Sequence, residues 1–162
     1  MALKKGFSLI ELIVVIGLLS LLMLAISSTM LMSIVSSTRI RTTTKVKQAG
    51  SYAIGQIASI VRSAKSIASC DSSTPSLSVV NFDGGTTDIF VEQVGQNYQI
   101  ASGSGSYLTP ENMNATAFTL ECLPDENTPT LIKISYDLQD TSSAQSTQNP
   151  NLHFETSVSL RN

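Results

Sequence analysis

The chain has 162 residues, a formal net charge of −2, two cysteines and one histidine. This length accommodates one globular domain together with a long additional element. One histidine and no C-x-x-C sequence exclude the usual zinc sites, and we expect no metal and no other cofactor.

Charge is divided sharply along the chain. Residues 1–66 contain eight basic residues and one acid, whereas residues 67–162 contain two basic residues and eleven acids. This division indicates two parts with different surroundings. The acidic part is unsuited to nucleic acid, because the phosphates of nucleic acid would repel it.

The first element is a largely apolar segment at residues 7–26, which follows two basic residues, Lys4 and Lys5. A helix of about twenty apolar residues is long enough to cross a hydrocarbon core of ~30 Å. One acid, Glu11, interrupts the segment, although an acid costs about 2.5–3.5 kcal/mol at the centre of a membrane helix. That cost falls near the membrane boundary, and the first turn of a helix favours a carboxylate.

A secretory signal peptide describes this N-terminus poorly. Such a peptide has an apolar core of about 7–15 residues, followed by a small-residue cleavage site. Here the apolar run is longer, and the nearest imitation of a cleavage site is "AISSTM" at residues 25–30. Cleavage there would release a secreted β domain that begins near Ser27, and this remains an alternative.

The second element is a long helix. Residues 7–68 contain no proline, and the sequence predicts one continuous helix over this range, with 7–26 or slightly more spanning the membrane. An apolar stripe at spacings of three and four indicates that the second half packs on a sheet. The stripe consists of Val46, Ala49, Ala53, Ile57, Ile60, Ala64 and Ile67. Gly50 and Gly55 interrupt this half, each at a cost of up to ~1 kcal/mol relative to alanine.

Beyond a polar linker at 69–76, the sequence predicts an antiparallel β-rich head over residues 69–162. Strand-like runs occur at 77–82, 88–94, 97–102, 116–123, 131–138 and 152–160. Residues 139–151 are polar and predict a loop. The predicted fold class is therefore α+β, with the long N-terminal helix packed on a C-terminal antiparallel sheet.

The two cysteines, Cys70 and Cys122, follow the membrane segment, so an oxidising space outside the cytoplasm would allow a disulfide between them. Cys122 has the strand parity of Phe118 and Leu120, which predicts that it faces the core. A bridge from Cys70, just past the helix, would join helix to head. Two buried free thiols are the alternative.

The stretch "KKGFSLIEL" resembles the leader and processing site of type IV prepilins and the related pseudopilins. In that family a short basic leader ends in glycine, a dedicated inner-membrane peptidase cuts after it, and the new N-terminal phenylalanine is methylated. The resemblance implies a leader at 1–6 containing Lys4 and Lys5, cleavage between Gly6 and Phe7, and N-methylation of Phe7. It also implies that Glu11 pairs with the N-terminal amine of a neighbouring subunit.

The resemblance implies a structural subunit and not an enzyme. Its expected partners are other pilin or pseudopilin subunits, the prepilin peptidase, the inner-membrane assembly platform and membrane lipid. The chain would be a single-pass inner-membrane protein with its head outside the cytoplasm, and afterwards part of a surface or periplasmic filament. Major pilins commonly carry a proline where this sequence has "AISSTM", which favours a minor subunit here. A signal-anchored binding domain that does not polymerise is the alternative.

Other candidate chemistry is weak. His153 has the opposite parity to Leu152 and Phe154, so we expect it to face solvent, with no nucleophile arranged beside it. Asp83 and Asp88 flank a glycine-rich turn and could bind calcium through oxygen ligands, but a solvated hairpin turn is strongly favoured because acidic turn residues are common. A basic group on the helix would suit DNA phosphates, although solvent or acids of neighbouring subunits are favoured over DNA. This group consists of Arg39, Arg41, Lys45 and Lys47.

Overall fold

The structure is a computed structural model that describes residues 8–103, 105–124, 129–142 and 149–160. The first helix, α1, runs from Leu9 to Ser63 without interruption. The chain divides after Ile40 into two compact units, which are described separately below.

The first unit contains the N-terminal part of α1. From residue 8 to residue 40 every described side chain is exposed, and most of these side chains are apolar. No proline interrupts α1, so each interior amide can donate to the carbonyl four residues earlier. This part of the helix is fully formed but has no protein surface of its own unit to pack against.

Within the described residues, the second unit contains the C-terminal part of α1 and a head of eight strands. The strands are β1 (Ser66–Asp71), β2 (Ser76–Val80), β3 (Thr86–Val94), β4 (Asn97–Ser102), β5 (Ser106–Tyr107), β6 (Met113–Leu123), β7 (Leu131–Asp140) and β8 (Asn151–Ser159). They form a five-stranded sheet in the order β1-β2-β3-β4-β5 and a three-stranded sheet in the order β6-β7-β8. All neighbouring strands are antiparallel. The α+β class, with a long helix packed on antiparallel sheet, is confirmed.

The core lies between α1 and the sheets. Strand β7 alternates strictly between buried and half-buried or exposed residues, and it buries Ile132, Ile134, Tyr136 and Leu138, the face that the sequence predicts. The helix buries a stripe that is rotated slightly from the predicted one. Its buried members are Val46, Gly50, Ala53, Ile57, Ala58 and Val61, whereas Ala49 and Ile60 are only half-buried.

The rotation of the stripe has a local cause at Gly50. A Cβ atom on Gly50 would overlap the ring of Phe154, so only a glycine lets that ring lie against the helix backbone. The hydroxyl of Tyr136 donates to the carbonyl of Gly50 at 2.8 Å, and the Tyr136 and Phe154 rings stack with centroids 5.5 Å apart. Burial raises the pKa of Tyr136. Gly50 is therefore the point of closest approach between helix and sheet, and not merely an interruption of the helix.

The helix ends earlier than residue 68, the predicted end. α1 stops at Ser63, and β1 begins at Ser66, inside the range predicted as helical. The amide of Lys65 donates to the carbonyl of Val80 at 2.8 Å, and β1 then pairs with β2. Cross-strand pairing therefore satisfies these backbone groups in place of another helical turn.

The predicted linker at 69–76 is also partly wrong, because its first residues belong to β1. A tight turn follows, in which the carboxylate of Asp71 accepts from the amide of Ser73 at 2.8 Å and from the amide of Thr74 at 3.1 Å. The side-chain hydroxyls of Thr74 and Ser73 also donate to Asp71, and these bonds lower its pKa. The linker is thus a strand end and a hairpin turn.

The expected disulfide is present. Cys70 in β1 and Cys122 in β6 are both buried and bonded, with their Cα atoms 6.3 Å apart and 52 positions apart in sequence. Because Cys70 lies within a strand, the bond connects the two sheets. The expectation that it would join helix to head is wrong in this respect.

Replacing both cysteines by serine should lower the free energy of unfolding of the head by roughly 4 kcal/mol, because the closed loop no longer restricts the unfolded chain. The midpoint of urea unfolding of the full-length protein in detergent, followed by near-UV circular dichroism, measures this loss. The amount of protein in the membrane fraction should not change. An unchanged midpoint after reduction of the parent protein would contradict the prediction.

A pair of glycine variants tests the close approach at Gly50. Gly50→Ala should destabilise the protein by about 1–2 kcal/mol, because overpacking against Phe154 outweighs the gain in helix propensity. Gly55→Ala is the matched control, since Gly55 is exposed and a Cβ atom added there would meet nothing within 4 Å. Gly55→Ala should stabilise by up to ~1 kcal/mol. If both variants shift the unfolding midpoint upward, the Phe154 ring does not constrain this position.

Candidate functional site

The start of α1 contains one acid, Glu11, in its first turn. The amides of Glu11 and Leu12 both donate to the carbonyl of Ser8, at 3.0 and 3.2 Å, so the helix is closed from its first residues. The Glu11 side chain is exposed. Its carboxylate lies where unsatisfied amides make the helix end partially positive, which stabilises the negative charge.

Four residues of the predicted processing site lie outside the described residues. They are Lys4, Lys5, Gly6 and Phe7. Cleavage after Gly6, methylation of Phe7 and pairing of Glu11 with an amine therefore stay predictions.

An apolar surface continues from the first turn of α1. The exposed fraction of its large apolar side chains ranges from 43% at Val15 to 77% at Met32. α1 is long and apolar enough to cross a membrane, with a mean hydropathy of 2.9 in its most apolar window and none of that window buried. So large a contiguous apolar surface requires lipid or another protein to cover it.

Hydroxyl groups within this surface donate to the helix's own carbonyls. The bonds are Ser20 to Ile16 at 2.8 Å, Ser27 to Met23 at 2.8 Å, Ser28 to Ala25 at 2.9 Å, Thr29 to Ile26 at 2.9 Å and Thr38 to Ile34 at 3.1 Å. An unsatisfied hydroxyl would be costly in an apolar medium, and these bonds remove that cost. The sequence "AISSTM", polar by composition, is therefore compatible with lipid or with a protein core.

The exposed face of the three-stranded sheet carries charged pairs. His153 is exposed, as predicted, and its Nδ1 lies 2.7 Å from Oδ1 of Asp137. Nζ of Lys133 lies 3.0 Å from Glu155, and that hydrogen-bonded contact raises the pKa of Lys133. These pairs are solvated and face away from the core, which is typical of a polar sheet surface.

In the glycine-rich turn between β2 and β3, the Asp83 carboxylate accepts a hydrogen bond from the backbone of the turn itself. Oδ1 of Asp83 accepts from the amide of Gly85 at 2.9 Å, and Gly84 has a φ of 86°, which the turn requires. Asp88 lies in β3. Among the described residues, no group of three or more histidine, cysteine or acidic side chains is arranged to hold a metal ion.

The structure also contains a cleft that the sequence analysis missed. It has a volume of about 640 Å³ and lies where the turn after β1 meets β3, β4 and β6. Its wall includes Ala117, which has a φ of 50° at a bulge in β6. The lining comes from four separate segments, so no local pattern in the sequence marks it.

The N-terminus matches a known protein family model. Residues 1–27 match the family model of the prokaryotic N-terminal methylation motif. No curated protein and no solved structure matches the chain. The match agrees with the resemblance found at Gly6, Phe7 and Glu11. Residues 1–27 therefore carry the prokaryotic N-terminal methylation motif, the class III signal peptide of type IV pilins.

Proposed function

We propose that this protein is a pilin-like structural subunit of a type IV pilus or of a type II secretion-like pseudopilus. It is inserted in the inner membrane, cut after Gly6 by the prepilin peptidase, and then assembled with other pilin or pseudopilin subunits. One observation carries the proposal: an exposed carboxylate, Glu11, begins a helix whose apolar surface is uncovered throughout the first unit.

Processing gives Glu11 a partner. Cleavage after Gly6 leaves Phe7 with a free amino group, which is positively charged at neutral pH. Within a bundle of apolar helices, an unpaired carboxylate is strongly unfavourable, so helices settle where Glu11 meets an amine. The amine of a neighbouring subunit meets this need and fixes the axial position of one helix against the next.

The continuity of α1 supports a minor subunit, one that primes assembly or occupies the filament tip. Major pilins commonly carry a proline in the second half of the apolar stretch, whereas here the helix continues unbroken through Ser27, Ser28 and Thr29. The hydroxyls of these residues bond to carbonyls of the preceding turn, so their polarity does not require the helix to open.

The competing function is a signal-anchored binding domain that stays monomeric, for which the cleft beside Ala117 would be the natural binding site. That function explains the apolar helix and the disulfide. It gives no reason for an acid in the first turn of the apolar helix or for the methylation motif at residues 1–27.

Glu11 variants separate these two functions. Glu11→Gln should abolish entry into filaments, because it removes the charge that pairs with the neighbour's amine. Glu11→Asp should cause a partial loss of entry, because the aspartate side chain is shorter. Total membrane-bound protein should stay constant, since loss of a charge favours insertion. The readout is the amount of protein in sheared or purified filaments, quantified against the membrane fraction. Glu111→Gln, at an exposed acid of the head, is the matched control and should assemble normally.

Normal assembly of Glu11→Gln would leave Glu11 as a tolerated first-turn residue and would contradict the proposed pairing. Absence of the parent protein itself from purified filaments would favour the monomeric anchor.

The processing step has its own measurement. N-terminal sequencing and intact mass of the membrane-bound protein should give a chain that begins at Phe7, with a mass increase of one methyl group. Gly6→Val should block cleavage, because the peptidase acts after glycine, and the precursor should remain in the membrane. A mature chain that begins near Ser27 would instead identify an ordinary secreted domain.

A further inference from the structure

Charged residues bracket the apolar part of α1 at a spacing close to the thickness of a membrane. Glu11 precedes the uncharged interval and Arg39 follows it, and the 27 residues at 12–38 between them carry no charged side chain. At 1.5 Å per residue this interval is ~40 Å long. A bilayer including its headgroup regions is about 40–45 Å thick.

The whole interval is suited to lipid, and not only the predicted span at 7–26. Every described side chain at 12–38 is exposed, and the hydroxyls of Ser27, Ser28, Thr29 and Thr38 are bonded within the helix. A span that ends near Thr38 places the next residues of α1 at the outer headgroup surface.

The residues that follow include three exposed basic side chains, Arg41, Lys45 and Lys47, which we call the basic collar. In the described part of the chain, no acid lies within salt-bridge distance of any of the three. Side chains on a helix tilt toward its N-terminus, so the collar side chains point back toward the membrane that holds the start of α1. Their long apolar stems can lie along the lipid surface while the charged ends reach phosphate.

We propose that the basic collar binds the phosphates of anionic phospholipids in the outer leaflet and thereby sets the depth of α1 in the membrane before assembly. This proposal rests on the proposed function only in requiring that α1 be inserted. A guanidinium forms paired hydrogen bonds with phosphate, and lysines near an anionic leaflet are attracted to its surface potential. Acids on a second copy of the chain are the competing partner.

The test uses the full-length protein reconstituted in vesicles, with a spin label on a cysteine introduced at Ser37. The native cysteines are in the disulfide and do not interfere. The depth of the label is compared between phosphatidylcholine vesicles and vesicles that also contain phosphatidylglycerol. We expect the anionic lipid to draw the label deeper by about one helical turn, ~5 Å, and 0.5 M salt to reduce the shift.

Two multiple variants test whether the basic collar causes the shift in label depth. Arg41→Gln/Lys45→Gln/Lys47→Gln should remove the dependence on phosphatidylglycerol. Arg62→Gln/Lys65→Gln neutralises exposed basic residues further along the chain and should retain it. Equal label depths for the parent protein in the two lipids would overturn the proposal. So would a shift that follows the protein-to-lipid ratio instead of the lipid charge, since that result identifies a second copy as the partner.

A second label at Leu19 distinguishes failure of the collar from failure of the membrane anchor. A Leu19 label within the hydrocarbon, combined with a depth at residue 37 that ignores lipid charge, overturns the collar alone. A Leu19 label exposed to water in both lipids overturns the insertion of α1, and with it the membrane stage of the proposed function.

Discussion

The apolar part of α1 must satisfy its polar groups from within, because nothing in its own unit covers it. Its backbone does so through an unbroken helix, and the hydroxyls of Ser20, Ser27, Ser28, Thr29 and Thr38 do so by donating to carbonyls of the preceding turn. Glu11 is the exception, since no intrahelical bond neutralises a carboxylate. Among its described residues, the apolar part of the helix thus carries one charged side chain, and the proposed pairing of that charge with an amine would let a uniform apolar surface select a partner.

In the second unit, by contrast, α1 is stabilised by close packing against the sheets. At Gly50 the helix backbone itself is part of the interface, because the Phe154 ring lies against it and Tyr136 donates to its carbonyl. One continuous helix therefore has two kinds of surface. The first can be covered by lipid and, under the proposed function, later by the core of a filament. The second surface packs closely against one set of side chains of the head.

Those features of the sequence that depend on period or on a fixed spacing predicted the fold and the N-terminal motif well. The strict alternation of Ile132, Ile134, Tyr136 and Leu138 identified the buried face of β7, and the offset between Gly6 and Glu11 identified the motif. Features that depend on distant contacts were not predictable. The helix ends at Ser63 because β1 pairs with β2, and Gly50 is buried because of a ring more than a hundred positions away. Local helix propensity predicts neither the end of the helix nor the burial of Gly50.

The position of the disulfide matters most when the subunit is under tension. Ser66, the first residue of β1, follows α1 almost directly, and β1 is an edge strand held by β2 alone within its sheet. A force that detached the packed half of α1 would next reach β1 at its first residue, Ser66, where the pairing with β2 begins. The covalent link at Cys70 transfers that load to β6 before the strand is fully detached. Once the end of α1 is free, the disulfide would limit the unravelling of β1 to the residues between Ser63 and Cys70.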